Sequence, residues 1–502
     1  MKHSFIMKYL AGLFLVFTVG CKNDDGPGIS VELQNEVNEF VWFGMNGYYY
    51  WVDEVEDLSV EKYPTYNSLY AFLNTYSQPE DLFDDLIHPD DFSASSGKPF
   101  SWIVDDYEEL EASFQGISKS FGYELGLLRI ASGSDDLVAY VKYVIPGGPA
   151  ANAGIMRGDV FTEVNGTQLT EDNYLSLLFG NENITITLAQ IQDNTISSTD
   201  QEISLIAVDI AENPILISDV LELDGVKIGY LVYNQFVNNN TYHEEMNDAF
   251  GEFKSAGIND LVLDLRYNGG GSVKTSVMLA SIIYGAGGSN DIFTISQYNH
   301  QIEQSLTSNG VELNEYFISS LPDSNTPLNR LSLNRVFILT SGNTASASEL
   351  IISGLDPYID ITLIGTTTVG KNLGSTTLYD SPNFRKTPDN SDVNHTNSTY
   401  AIQPIITRFT NIEDIDYRDG FEPNIEVSEI NYLEDLPALG DPSEPLLAEA
   451  LGVITGVARL ERKPDSGMQE IETMQDKRTN TILIDNKEIL SEIRDHFVYA
   501  GQ

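Results

Sequence analysis

Residues 335–375 read RVFILTSGNTASASELIISGLDPYIDITLIGTTTVGKNLGS, and the rest of the chain is organised around them. Val336 to Leu339 is an apolar, β-rich run, and Ser341, Gly342 and Asn343 make a turn. Ala345 to Leu355 reads as helix, Ile361 to Ile364 as a second strand, and a Gly-Lys loop follows. Ser346 therefore stands at a strand-to-helix turn, and Lys371 follows the next strand. Parallel neighbours bring two such positions to the same edge of a sheet. Serine is a weak nucleophile that needs a base, and lysine serves as one only when desolvation lowers its pKa towards neutrality. Thr366 to Val369 are uncharged and no acidic residue lies within four positions of Lys371, which permits a neutral amine.

Two plainer readings compete for the same residues. Ser346-Ala-Ser-Glu349 fits a capping box, in which the serine side chain meets the N3 amide and Glu349 reaches back. Gly365-Thr-Thr-Thr-Val-Gly-Lys-Asn372 is one residue short of a phosphate-binding loop. Such a loop needs Ser or Thr after its lysine and a helix beyond; here Asn372 takes that place, and LGSTTLYDSP reads as strand and turn.

A length of 502 residues suggests about three domains at roughly 150 residues each. Hydrophobic content of 41% and charged content of 20% are ordinary for globular protein. The charge balance is not: 75 acidic against 27 basic residues give a formal net charge of −48, which repels nucleic-acid phosphates and anionic membranes. No nucleic-acid partner is expected. Residues 1–21 read as a targeting segment. Lys2 and Lys8 precede an apolar run from Tyr9 to Val19, too short to span a bilayer comfortably, which ends at Gly20-Cys21. Cys21 is the only cysteine, so no internal disulfide can form. Its position resembles the lipidated cysteine of a bacterial lipoprotein signal, with Lys22-Asn23-Asp24-Asp25 as an acidic tether. That resemblance implies a lipid anchor and the cell envelope, periplasmic or surface-exposed, at the outer membrane. A plain cleaved signal peptide is the alternative.

From Ile29 to about Leu110 the chain reads as mainly helical, with Val37, Phe40, Val41 and Met45 at helical spacing and a core-type aromatic face continuing to Val52. His88-Pro-Asp-Asp91 lacks the second histidine of a helical metal site, and the other histidines are scattered, so no metal is expected. Between about Gln115 and Ile210, Ser120-Phe121-Gly122-Tyr123-Glu124-Leu125 precedes alternating strands, then PGGPAANAG (146–154) and RGDVFTEVNG (157–166). This order resembles a PDZ domain of the bacterial protease type. A glycine-bearing loop leaves amides for a terminal carboxylate, and the adjoining strand edge, Phe121 to Leu125, would accept an extended peptide. From about Val220, strand and helix signals alternate, implying βαβ units and a largely parallel sheet. DLVLDL (260–265) ends in Arg266-Tyr267-Asn268-Gly269-Gly270-Gly271, a turn whose amides can approach a ligand closely.

The PDZ-like segment, LDLRYNGGG, TASASE and GTTTVGK, in that order, resemble the carboxy-terminal processing (tail-specific) peptidases, closest to bacterial lipoprotein forms with an N-terminal helical region. The likeness runs roughly from Ile29 to Gly456. It implies an α/β multi-domain chain with a ClpP/crotonase-like catalytic fold, a PDZ-like β-rich domain and an N-terminal helical region. Matched residue by residue, Ser346 is the nucleophile and Lys371 the general base. The amides of Ala347 and of Gly270 or Gly271 form the oxyanion hole, and Glu349 orients or caps. Many members carry glutamine four residues past the lysine where this chain has Ser375, which leaves the orienting partner of Lys371 open. The expected organisation is a signal peptide (1–21), a tether and helical region (22–112), a PDZ-like domain (113–212), a catalytic domain (213–457) and a C-terminal extension (458–502). The expected activity is lipid-anchored serine endopeptidase action on polypeptides near their free C-termini, with no cofactor. A non-catalytic peptide binder on the same fold is the alternative. Oligomeric state is not legible.

Overall fold

The computed structural model describes residues 30–93, 97–130, 133–193, 195–288, 290–387, 394–458, 460–471 and 482–483. Residues 1–21, expected from the sequence to be a targeting segment, lie outside the described residues with Cys21. Three short helices open the chain: α1 (Glu36–Tyr48), α2 (Tyr66–Leu73) and α3 (Pro79–Asp85). Side chains cap the first two. Asn35 accepts from Val37 N, and Thr65 and Ser68 form a capping box, which supplies acceptors to amides that a helix start leaves unpaired. Phe40, Trp42, Leu69 and Leu82 bury their apolar faces not only on one another but on Leu378, Ile402 and Ile405, which lie far along the chain. A strand seals this contact: β1 (Trp102–Val104) is antiparallel to a later strand, with Trp102 opposite Gln403.

An antiparallel sheet follows, in the order β2 (Tyr123–Arg129), β3 (Leu137–Val144), β4 (Val160–Val164), β5 (Asn183–Gln192) and β6 (Thr195–Ile206). Its core, Leu125, Leu127, Val141, Phe161 and Ile186 among others, is separate from those of the neighbouring domains.

The third body is built on β7 (Ile215–Leu223), β8 (Val226–Tyr233), α4 (Asn240–Ala256), β9 (Asp260–Asp264), β10 (Gly271–Ser272) and α5 (Val273–Tyr284). After β11 (Ile292–Tyr298) and β12 (Asn314–Tyr316) come β13 (Arg335–Thr340), α6 (Ala347–Leu355) and β14 (Asp360–Gly365). The chain continues through β15 (Leu373–Ser375), β16 (Leu378–Tyr379), β17 (Ala401–Gln403), β18 (Ile405–Thr410), β19 (Ile425–Glu426) and α7 (Pro445–Thr455). The main sheet runs β7-β8-β9-β13-β14-β19, parallel from β8 onward. Because side chains alternate across a strand, both faces must be covered, and the buried runs DLVLD and RVFILT reflect that. Leu263 and Ile338 face α4, α5 and α6 through Phe250, Met278 and Ile351. Val262, Phe337 and Leu339 face α7 and the PDZ-like sheet through Leu447, Leu451, Val138 and Tyr140. The expectation of an α/β multi-domain chain with a PDZ-like domain and an N-terminal helical region holds. Among the described residues no helix is long and apolar enough to cross a membrane.

Beyond α7, two short strands return to the folded body. β20 (Gln469–Ile471) joins β2, and β21 (Ile482–Leu483) enters a second sheet of order β10-β21-β15-β18-β11-β12.

Candidate active site

Strands β13 and β14 run parallel with Thr340 opposite Gly365, so the turns leaving their carboxyl ends begin side by side. The first turn is pinned by its own side chains. Thr344 Oγ1 accepts from Ser341 N and donates to Leu265 O, each at 2.9 Å, and Asn343 N donates to Ser341 Oγ at 3.0 Å. It delivers Ser346 to the N-cap of α6 with φ 65° and ψ −117°, a region that residues with a β-carbon rarely adopt. Strain of this kind persists only where the surroundings over-determine it, and it clusters at functional sites. Ser346 Oγ is buried and makes no hydrogen bond among the described residues.

Glu349 is the tie. Its fully buried carboxylate accepts Ser346 N at 2.9 Å and Lys371 N at 2.8 Å on one oxygen, and Gly370 N at 2.7 Å and Thr368 Oγ1 on the other. Burial raises its pKa, while these four donors pull it back. One carboxylate oxygen thus joins the backbone of the serine to that of the lysine, and the return limb of the capping box serves the site itself. A strand, β15, follows Lys371 where a phosphate-binding loop would need a helix.

The Lys371 side chain is wholly buried. Desolvation brings its amine down to about 7, against the opposing pull of the Asp91 and Glu349 carboxylates. Its Nζ lies 4.9 Å from the ring centroid of Phe100 and 6.0 Å from that of Trp102. Both rings come from the N-terminal region. Asp91 supports them: fully buried, it accepts Phe100 N and Ser101 N at 3.1 Å each and Tyr49 OH at 2.8 Å. Burial pushes its carboxyl up to about 6. On the other side, Gln403 Nε2 donates to Ser375 Oγ at 3.2 Å, with both residues buried. A glutamine therefore reaches this position from β17.

Asp91, Phe100, Trp102 and Gln403 have no counterpart in the reading of the sequence. Asp91 figured there only in a failed metal motif. The signal lies in the pairing of β1 with β17, a contact across some three hundred residues that periodicity does not carry.

Ala347 N–H is the first amide of α6, a position without an intrahelical acceptor. Gly270 packs directly against the serine: a β-carbon there would lie 2.7 Å from Ser346 Cβ and 3.0 Å from Ala347 N, at φ +115°. Its own N–H donates to Asn268 Oδ1 at 2.9 Å. Gly271 begins β10 beside it.

In the PDZ-like domain Phe121, Tyr123 and Leu125 point into the core, and Gly122 N donates to Ser120 Oγ at 3.0 Å. Glu124 is half-buried on β2. This domain touches the turn that delivers Ser346 elsewhere, where the buried Lys142 donates to Asn343 Oδ1 at 2.8 Å. Among the described residues no group of three or more His, Cys, Asp or Glu side chains is placed to hold a metal ion.

Comparison with known proteins agrees with this architecture. Residues 227–427 match the model of peptidase family S41, residues 36–102 that of the peptidase S41 N-terminal domain, and residues 140–193 a PDZ domain. A probable CtpA-like serine protease of Staphylococcus aureus is 28% identical over 273 residues, which is 54% of this chain and 48% of that protein. A carboxyl-terminal-processing protease of Synechocystis is 24% identical over 285 residues, 56% of this chain and 60% of the relative. The chain thus spans about half the length of the first of these relatives. A crystal structure of a Bacteroides fragilis protein assigned to the S41 proteases shares the fold, with a TM-score of 0.63 and 23% identity over 86% of this chain and 99% of that one. The strained serine, the buried lysine joined to it through Glu349 and the matched segments on either side lead to one assignment: the chain carries a peptidase family S41 domain over residues 227–427, preceded by that family's N-terminal domain over 36–102 and a PDZ domain over 140–193.

Proposed function

We propose that the chain is a serine endopeptidase working through Ser346 and Lys371, which cleaves polypeptides near their C-termini. The observation that carries this reading is the shared Glu349 oxygen, which ties a serine at positive φ to a lysine whose amine is buried. Neutral Lys371 Nζ takes the Ser346 Oγ proton as Oγ attacks the scissile carbonyl carbon. The resulting oxyanion is met by Ala347 N–H and Gly271 N–H, since the Gly270 amide is engaged by Asn268. Collapse expels the amine, which recovers the proton from Lys371, and water then hydrolyses the Ser346 ester by the same route. Gln403 and Ser375 together do the orienting that glutamine does elsewhere in the family. The PDZ domain binds the substrate's C-terminal segment along the Phe121 to Leu125 strand, and lipid on Cys21 holds the enzyme in the cell envelope.

The test uses protein lacking residues 1–25, incubated with an unfolded polypeptide bearing an apolar C-terminus and analysed by mass spectrometry. Ser346→Ala and Lys371→Ala should each lower kcat by roughly 10⁴-fold or more. Cleavage that persists in both variants means that the site is assigned wrongly. The complete burial of a Ser346 Oγ with no hydrogen-bond partner among the described residues favours one second reading, a peptide binder without turnover; it would show peptide binding with no cleavage by any form.

A further inference from the structure

The two strands beyond α7 lie where an extended peptide would lie. β20 pairs antiparallel with β2, with Gln469 opposite Arg129 and Ile471 opposite Leu127. It occupies the edge of β2 that faces away from β3. β21 runs parallel between β10 and β15: Ile482 is opposite both Gly271 and Gly374, and Leu483 opposite Ser272 and Ser375. β10 leaves the glycine turn packed on Ser346, and β15 begins two residues after Lys371. Among the described residues β21 alone stands between them in the sheet order. Two strands flanking a third are about 9.6 Å apart, a slot the width of one extended chain. Backbone pairing of this kind accepts peptide largely regardless of sequence.

Side chains add to the hold at β2. Glu470 lies 3.1 Å from Lys142 Nζ and accepts Tyr140 OH at 3.0 Å. The same Lys142 reaches Asn343 in the turn that delivers Ser346. A residue of the extension therefore shares a buried cation with the catalytic turn.

We propose that the segment after Gly456 is a cis-acting ligand of the enzyme's own substrate groove, seated on the β2 edge and in the slot between β10 and β15, so that an incoming polypeptide must displace it. This rests on the assignment of Ser346 and Lys371 as the catalytic pair and names the first occupant of their groove. Two contacts carried on one covalent segment reinforce each other through effective concentration. An outside peptide then binds with its affinity reduced by the fraction of molecules whose groove is open.

The experiment keeps the extension in place. Ile482→Pro/Leu483→Pro removes two ladder donors from β21, and Glu470→Lys sets like charges together at β2. Each variant should lower KM for a polypeptide substrate with kcat unchanged. The drop is about tenfold for the proline pair if the extension fills the groove in roughly nine molecules of ten. A synthetic peptide of residues 466–486 should raise KM of the proline variant again, competitively. Unchanged KM in both variants, with the parent turning over, overturns the proposal. If no form turns over, the catalytic assignment fails, and binding still decides this one. Labelled 466–486 peptide should bind the Ser346→Ala proline variant about tenfold more tightly than Ser346→Ala alone; equal binding, or none, overturns it.

Discussion

Lys371 is the group on which the proposed chemistry turns, because only its neutral form can accept the Ser346 proton. Desolvation lowers its pKa to about 7, so at neutral pH a substantial fraction is already the free amine. The sign of the pH dependence follows: kcat/KM should rise as pH passes through about 7 and level off above it. Asp91 acts in the opposite sense. Ionised above about 6, its carboxylate favours the charged ammonium and raises the lysine pKa. Asp91→Asn should therefore move the rising limb to lower pH, with the fold intact by circular dichroism because asparagine still accepts from the amides of Phe100 and Ser101. A limb that stays in place, measured from pH 5 to 9, would mean that Asp91 serves only to hold those two residues.

At the scale of elements, the site depends on how closely three backbones approach. The glycine turn after β9 reaches Ser346 only because Gly270 has no β-carbon and adopts φ +115°. Gly270→Ala should cost roughly 1–3 kcal/mol of stability from the forced φ. It should also lower kcat by about 10²-fold, because a displacement of about 1 Å is enough to spoil reacting geometry. Steady-state kinetics beside a thermal melt separates the two effects; a stable variant with full kcat would contradict the packing. The strands and α6 that carry this arrangement were legible in the chain, since DLVLDL, RVFILT and ITLIG are apolar runs bounded by turn residues. The conformation of Ser346 was not legible. Ser-x-x-Glu reads equally as a cap, and only the packing shows Glu349 spanning two turns.

For the whole molecule, the PDZ and catalytic domains are locked by buried charge. Arg157, read in the sequence as part of a PDZ motif, donates to Glu429 at 2.8 Å, to Glu444 at 3.1 Å and to the carbonyls of Pro437 and Lys142. Arg266 meets the same Glu444 at 2.9 Å and Asp264 at 2.8 Å. Against burial, which would raise it, the two arginines hold Glu429 down to about 2. That contribution to stability is present above the ordinary glutamate pKa and is lost as pH falls through about 2. Arg157→Ala leaves Glu429 buried with one cationic partner fewer and should cost about 3 kcal/mol at pH 7. The loss should appear as an earlier first transition in urea and shrink near pH 2; an unshifted transition at pH 7 would show the domains to be held by apolar contact alone.

The amino-acid sequence by itself determined the order of domains, the family and the positions of Ser346, Lys371 and the glycine turn. These rest on local patterns: apolar runs of strand length, turn residues at their ends, and motifs in a set order. Tertiary structure alone decided what surrounds the lysine. Phe100 and Trp102 reach Nζ through a strand pairing across some three hundred residues, and Gln403 meets Ser375 from a different strand. Such contacts depend on where the sheet places distant backbones, and spacing along the chain carries no trace of that. The same holds for Ile482 and Leu483, whose place between the glycine turn and the strand after Lys371 depends on sheet pairing alone.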